Sequence, residues 1–146
     1  MSDHNDAPAL PAVLFVCVKN GGKSQMAAAL FRRLAGDRVE VHAAGTQPGD
    51  SVNAMCAAAV GEVGASMQGK TPKPIDPKLL RRVDRTIVLG TEAKVERVPG
   101  MQGVIEVWET DEPSSRGIGG MDRMRLIRDD IDARCRLLLD ELLVQA

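Results

Sequence analysis

The stretch Cys17–Ser24, which reads CVKNGGKS, most narrows what this chain can fold into. It follows an apolar run, Ala12–Val16, and precedes a helical pattern that begins near Gln25. A strand, a glycine-containing turn and a helix start are the usual parts of a backbone cradle for an anion, because successive N–H groups there point into one hollow. The stretch therefore predicts an α/β domain with a thiol at the mouth of an anion-binding loop.

The position of Cys17 predicts a nucleophile. At the N-terminal end of a helix, the dipole and the unpaired amide donors favour a thiolate, so we expect this thiol to be ionised at neutral pH. Lys23 adds a positive charge, and Ser24 can donate a hydrogen bond to the sulfur. The predicted oxyanion-binding residues are Val18, Lys19, Asn20, Gly21, Gly22 and Lys23.

The glycines and the asparagine of this loop have predicted backbone roles. Gly21 and Gly22 permit close approach to a ligand and positive φ angles, and Asn20 braces the turn through its amide. A simpler interpretation is that the cysteine is a small buried hydrophobe and the glycines form an ordinary turn. The lysine and serine in register with them favour the nucleophile.

The remaining patterns alternate strand with helix. Strands are predicted at Ala12–Val16, Val39–Ala43, Thr86–Leu89 and Gly103–Val107, and helices at Ser24–Leu34, Ser51–Val63, Gly120–Leu143 and, more weakly, Thr91–Val95. An open, parallel α/β sheet follows, with its ligand site beyond the carboxyl ends of the strands. The predicted core faces of the second and last helices are Val52, Met55, Cys56, Ala59, Val60 and Val63, and Met124, Ile127, Ile131, Cys135, Leu138 and Leu142.

Length and composition exclude several classes of protein. We predict a flexible leader at residues 1–11 and a single domain at 12–146. A net charge of −1 offers no field for nucleic acid, and no apolar run is long enough to span a bilayer. Three dispersed cysteines and two histidines indicate neither a disulfide framework nor a metal site. A reducing cytoplasm is the expected location.

The segment VLFVCVKNGGKSQMAAAL at 13–30 resembles the nucleophile loop of the low-molecular-weight protein tyrosine phosphatase superfamily, most closely its arsenate reductase branch. In that superfamily the loop reads Cys, five residues, Arg, then Ser or Thr, whereas this chain has Lys23 at the arginine position. Further similar segments are VHAAGT at 41–46, RTIVLG at 85–90, WETDEP at 108–113 and the helix at 121–143. The N-G-G-K-S form resembles the actinobacterial arsenate–mycothiol transferases.

The resemblance implies four parallel strands in the order 2-1-3-4, with helices on both faces. It also implies an enzyme that joins arsenate to mycothiol or a similar low-molecular-weight thiol, with no bound cofactor. A separate mycoredoxin or glutaredoxin-like reductase would then release arsenite. The basic run Lys70–Lys78 is interpreted as a solvated face, or alternatively as a surface for an anionic cosubstrate.

A second chemical element lies at Asp111, Glu112 and Pro113. Loss of oxygen from arsenic or phosphorus needs a proton donor, and in the superfamily this acid is an Asp immediately before a proline. Here a glutamate holds that position and an aspartate precedes it, so both are candidates. An acidic surface loop is the alternative. The implied catalytic residues are Cys17, Lys23, Ser24, Asp111 and Glu112.

The cysteine positions bear on the source of the reducing thiol. Thioredoxin-coupled arsenate reductases carry two further cysteines in the segment after the third strand. Here that segment, LGTEAKVERVP at 89–99, has none, so a relay there is excluded and the thiol is expected from outside. Cys56 and Cys135 are expected to be core residues.

Two other functions remain open. A phosphatase would use the same loop through a phosphocysteine, but Lys23 cannot grip two oxygens side by side as an arginine does. The chain also has no tyrosine, and only Phe15, Phe31 and Trp108 could form aromatic walls around a phosphotyrosine ring. A non-catalytic oxyanion-binding protein is the third hypothesis, supported by the lysine substitution.

Overall fold

A four-stranded parallel sheet forms the centre of the computed structural model, which describes residues 10–144. Its strands are β1 (Ala12–Cys17), β2 (Glu40–Gly45), β3 (Arg85–Leu89) and β4 (Val104–Trp108). Their spatial order is β2-β1-β3-β4, which confirms the predicted topology. Most of the predicted leader, residues 1–9, lies outside the described residues.

Helices cover both faces of the sheet. They are α1 (Lys23–Ala35), α2 (Ala54–Gly61), α3 (Pro77–Arg82) and α4 (Gly120–Val144), with short 3-10 helices at Gly36–Arg38 and Pro113–Arg116. The first, second and fourth helices enclose the larger hydrophobic core with one sheet face, and α3 lies over the smaller core on the other face. In the described part of the chain, none of these helices is both long and apolar enough to cross a bilayer.

Strand β1 is the central element, since it pairs with β2 on one side and β3 on the other. Its residues from Ala12 to Val16 are buried, as expected for a strand covered on both faces. Cys17 ends the strand opposite Gly45 of β2. The sheet thus delivers the thiol to the carboxyl edge, where ligands bind in open α/β folds.

The apolar stripe predicted on the last helix is confirmed. All six of its residues are buried, and they pack into the larger core with α1 and α2. All three aromatic residues of the chain lie in the same core, where Phe15 packs at ring-centroid distances of 5.7 Å from Phe31 and 5.9 Å from Trp108. The three aromatic side chains therefore all pack in the hydrophobic core.

Two local predictions were wrong, and one helix was not predicted. The segment 91–95 is not helical, because Gly90 turns at a φ of 94° and a segment of about five residues cannot nucleate a helix unaided. The basic run before β3 contains α3, where Asp76 accepts a hydrogen bond from the Lys78 amide and Pro77 occupies the first turn. Helix α2 begins three residues later than predicted because Asn53 caps it, which leaves Met55 exposed.

Truncation within the stripe tests the packing of α4. Ile131 is fully buried, so Ile131→Ala should lower the free energy of unfolding by about 2–5 kcal/mol through lost contacts and a residual cavity. Urea denaturation followed by circular dichroism measures this change. Leu137 lies on the same helix with 66% of its side chain exposed, so Leu137→Ala should change stability by less than about 0.5 kcal/mol. Equal losses in both variants would contradict the assignment of the stripe.

Candidate active site

The loop between β1 and α1 is held from its outer side. The carbonyl oxygens of residues 17, 18, 19 and 21 accept hydrogen bonds from the amides of Thr46, Gln47, Gly49 and Asn53, at distances of 2.6–3.1 Å. Within the described residues, the N–H groups of Gly21, Gly22 and Lys23 have no protein acceptor. Because the C=O and N–H of one peptide point in opposite directions, the outward carbonyl of Gly21 turns the Gly22 N–H to the inner side, where it is available to an anion.

Two glycines allow this close packing. A Cβ on Gly21 would lie 2.8 Å from the Ser51 carbonyl oxygen, and one on Gly45 would lie 2.6 Å from the Val18 carbonyl oxygen. Neither Gly21 nor Gly22 has a positive φ; the left-handed residue of the loop is Asn20, at 55°. The close approach at Gly21 is to the protein backbone at Ser51, so the predicted approach to a ligand stays a prediction, whereas the predicted positive φ was wrong.

Asn20 is fixed by hydrogen bonds that also orient its amide. Its Oδ1 accepts from the Lys73 amide at 3.0 Å and from Gln25 Nε2 at 3.1 Å, so its Nδ2 is the group that donates to Ser24 Oγ at 2.7 Å. Asn20, Ser24 and Gln25 are all buried. Sequence reasoning found the brace but missed Gln25 and Lys73, which only the fold brings to it.

The Ser24 hydroxyl is aimed at the nucleophile. Its oxygen already accepts from Asn20, so its own hydrogen is free to donate to Cys17 Sγ, 2.8 Å away. The backbone N–H of Asn20 donates to the same sulfur at 3.2 Å. Two donors therefore meet at one sulfur, and Cys17 is accessible to solvent, being only partly buried.

The two lysines of the loop have different surroundings. Lys23 lines a cavity of about 180 Å³ together with Gly22, Asn53, Cys56 and Arg123. Lys19 is exposed on a larger groove of about 550 Å³, lined otherwise by loop glycines and by residues 47–53. Neither lysine makes an ion pair with any residue between 10 and 144. Positive charge thus flanks the loop on two sides.

Both candidate acids are engaged by arginines. Asp111 accepts from Arg116 at 2.8 and 3.0 Å, and Glu112 accepts from Arg123 Nε and Nη2, both at 2.8 Å. The Arg116 guanidinium lowers the pKa of Asp111. Hydrogen bonds from Arg123 and then from Ser114 lower the pKa of Glu112 to about 2. In this arrangement both carboxyl groups are ionised at neutral pH and have no proton to donate.

Helix α4 anchors the acidic loop. Asp130 accepts from the Asp111 amide at 2.7 Å, and Arg134 donates to the Glu109 carbonyl at 2.9 Å. Pro113 is buried and begins the 3-10 helix that Glu112 caps. Sequence reasoning placed these carboxylates but missed Arg123, because the arginines of α4 all fall outside its apolar stripe and no pattern separates them.

The other two cysteines are buried. Cys56 is 4% exposed with its thiol 3.6 Å from Met124 Sδ, and Cys135 is fully buried near the Ala27 carbonyl. Burial raises the pKa of both thiols, so both are poor nucleophiles compared with an exposed thiolate. Among residues 10–144, no cluster of three or more His, Cys, Asp or Glu side chains is arranged to hold a metal ion.

Removal of the serine hydroxyl tests its role at the thiol. Ser24→Ala should slow alkylation of Cys17 by iodoacetamide about tenfold at neutral pH, since a hydrogen bond to a charged group contributes about 1.5–3 kcal/mol. Mass spectrometry of the modified peptide measures the rate. Ser66 is exposed and bonds only the Gln68 amide, so Ser66→Ala should react like wild type. An unchanged rate in Ser24→Ala would show that the thiolate does not depend on this donor.

The Arg123–Glu112 pair predicts a pH dependence of stability. The pKa of Glu112 is lowered from 4.5 to about 2 in the folded protein, so its contribution is present above pH 4.5 and is lost as the pH falls towards 2. Between about pH 5 and pH 3, wild type should therefore lose more unfolding free energy than Glu112→Gln. Urea denaturation at both pH values gives the comparison. Glu109→Gln, at an exposed residue, should lose as much unfolding free energy as wild type. An equal loss in Glu112→Gln would contradict the pairing of Glu112 with Arg123.

Comparisons with known proteins agree with this geometry. The model of the family "Low molecular weight phosphotyrosine protein phosphatase" matches residues 12–145. A curated relative from Halobacterium salinarum, named "Putative arsenate reductase", is 33% identical over 135 residues, which cover 87% of this chain and 89% of the relative.

Solved structures give the same result. A thioredoxin-dependent arsenate reductase of Corynebacterium glutamicum is 30% identical with a TM-score of 0.79, over 98% of this chain and 67% of that one. An arsenate reductase in its phosphate-binding state is 26% identical with a TM-score of 0.77, over 91% and 99%. The chain therefore belongs to the low-molecular-weight phosphotyrosine protein phosphatase family and has arsenate reductases among its relatives.

Proposed function

We propose that this protein is an arsenate reductase that works as a thiol transferase. The observation that carries the proposal is a partly exposed Cys17 sulfur, hydrogen-bonded by Ser24 and Asn20. It lies at a loop whose Gly21, Gly22 and Lys23 N–H groups have no acceptor among residues 10–144. Such a loop suits a tetrahedral oxyanion held beside a nucleophile. Arsenate reductases among the relatives support arsenate as that oxyanion.

The proposed reaction conserves the oxidation state of arsenic in its first step. The Cys17 thiolate and arsenate form an As–S bond while one As–O bond breaks, and the departing oxygen leaves as water after taking up protons. The external thiol then forms its own As–S bond, and the Cys17–As bond breaks with Cys17 leaving as the thiolate. A thiol of a separate glutaredoxin-like reductase then attacks the sulfur of this adduct. Arsenite leaves with the bonding electron pair, and the two sulfurs form a mixed disulfide.

The distribution of cysteines supports an external thiol. A relay within the protein would need a second accessible cysteine, but Cys56 and Cys135 are buried and residues 89–99 contain none. The Corynebacterium relative is named as thioredoxin-dependent, and that coupling does not transfer to a chain without cysteines in this segment. We infer mycothiol or a similar low-molecular-weight thiol as the cosubstrate.

The larger groove is the proposed place for this thiol. It lies directly beside the loop at Gly21 and Gly22, and its volume of about 550 Å³ falls in the range of small-molecule sites. Its lining includes Gln47, Asp50 and Ser51. These side chains offer both donors and acceptors, so they fit a polar cosubstrate better than an aromatic ring.

A phosphatase is the second candidate, favoured by the family to which the chain belongs. The positions of the aromatic residues oppose phosphotyrosine as its substrate. Phe15, Phe31 and Trp108 are the only aromatic residues of the whole sequence, and all three are buried in the core. No aromatic wall therefore faces the loop.

Turnover assays separate these functions. Purified protein with arsenate, mycothiol and a mycoredoxin-type reductase should produce arsenite, and Cys17→Ser should reduce turnover to background because it removes the nucleophile. Cys135→Ala is the matched control at a buried cysteine and should retain turnover. Loss of turnover in folded Cys56→Ala or Cys135→Ala would reveal an internal relay and contradict the external thiol.

Hydrolysis of p-nitrophenyl phosphate is measured alongside. Brisk hydrolysis without any thiol, together with no arsenite, would identify a phosphatase and overturn the proposal. If neither arsenite formation nor phosphoester hydrolysis is detected, a non-catalytic oxyanion-binding protein is favoured. The proposed enzyme should instead show thiol-dependent arsenite formation with little phosphoester hydrolysis.

A further inference from the structure

A guanidinium lies next to the loop, although the loop itself has none. Arg123 of α4 lines the 180 Å³ cavity whose wall includes Gly22 and Lys23 of the loop. Cys56, on the same wall, lies within electrostatic range of Arg123, Lys23 and Cys17. Cationic groups from two separate elements thus surround one small volume beside the nucleophile.

The present partner of Arg123 is Glu112. The guanidinium uses Nε and Nη2 for the two carboxylate oxygens, each at 2.8 Å. The side chains are 31% and 42% exposed, so water and dissolved anions reach this pair. A doubly charged anion at the loop can therefore compete with the carboxylate for this arginine.

We propose that Arg123 exchanges Glu112 for the oxyanion held by the loop, and so supplies the bidentate cation that Lys23 cannot. The inference rests on the anion-binding loop of the proposed function and adds a specificity residue to it. A planar guanidinium grips two oxygens of arsenate or phosphate, whereas an ammonium acts as a point charge. The exchange also frees Glu112, the carboxyl group directly before Pro113, to accept a proton.

A structural role for Arg123 makes different predictions. If the arginine only anchors the acidic loop to α4, the effect of Glu112→Gln on anion binding is the same whether or not Arg123 is present. If the arginine is shared, loss of Glu112 releases it, and anion binding becomes tighter only when Arg123 is present. The two roles are therefore separated by the effect of Glu112→Gln measured with and without Arg123.

The experiment measures protection of Cys17 from iodoacetamide by inorganic phosphate, with arsenate as a second probe, in the full chain. The phosphate concentration for half protection should rise about tenfold or more in Arg123→Ala, since the lost hydrogen bonds join charged groups. In Glu112→Gln it should fall severalfold. Removal of one negative charge would also tighten anion binding without any exchange, so the double variant is decisive.

In the double variant Arg123→Ala/Glu112→Gln, the phosphate concentration for half protection should not fall below that of Arg123→Ala, because the arginine that Glu112→Gln would release is absent. The matched controls are Arg136→Ala and Asp132→Asn, which remove an ion pair of the same helix that does not line the cavity. In both control variants, phosphate should protect Cys17 at the same concentration as in wild type.

Each contrary result has its own meaning. A gain that persists in the double variant, or an unchanged midpoint in folded Arg123→Ala, would overturn the exchange while leaving the loop intact. Failure of both anions to protect wild type would overturn the anion-binding loop, and with it this inference. Circular dichroism of every variant confirms that the compared proteins are folded.

Discussion

The outward use of the loop's carbonyl groups is the constraint on which the site depends. A peptide's C=O and N–H point in opposite directions, so the outward carbonyl of Lys19 turns the Asn20 N–H towards Cys17 Sγ, and that of Gly21 turns the Gly22 N–H to the inner side. This packing is close enough to require Gly21 and Gly45. The candidate anion-binding loop is therefore held jointly by the ends of β1 and β2, and Cys17 lies in it because β1 lies between two partners in the sheet.

The electrostatics of the site divide between two elements. Asn20 and Ser24 are neutral residues that donate hydrogen bonds to the Cys17 sulfur. Helix α4 supplies the charged part, since Arg123 reaches both the loop cavity and the acidic loop. With Glu112 paired, its low pKa keeps it deprotonated at neutral pH. Acid catalysis by this residue thus requires the ion pair to open. If Arg123 leaves Glu112 when the anion binds, substrate binding and proton transfer by Glu112 are coupled.

Patterns with a strong period predicted the fold well. The buried run of β1 and the stripe on α4 follow directly from the spacing of apolar residues, and their packing matches that spacing. Short segments were predicted less well, because their conformation depends on caps and neighbours. Asp76 and Pro77 were adequate signals for α3 that the surrounding lysines obscured. The bends at 91–93 after Gly90 carried no such signal.

The sequence by itself determined the nucleophile loop, the strand before it and the positions of the candidate acids, because these depend on residues close together in the chain. Only the tertiary structure decided which groups complete the site. Lys73 reaches Asn20 across 53 residues, and Arg123 reaches Glu112 and the loop cavity from a separate helix. Contacts of this kind are set by the packing of α4 and of the segment before β3 against the sheet, and no local pattern encodes them.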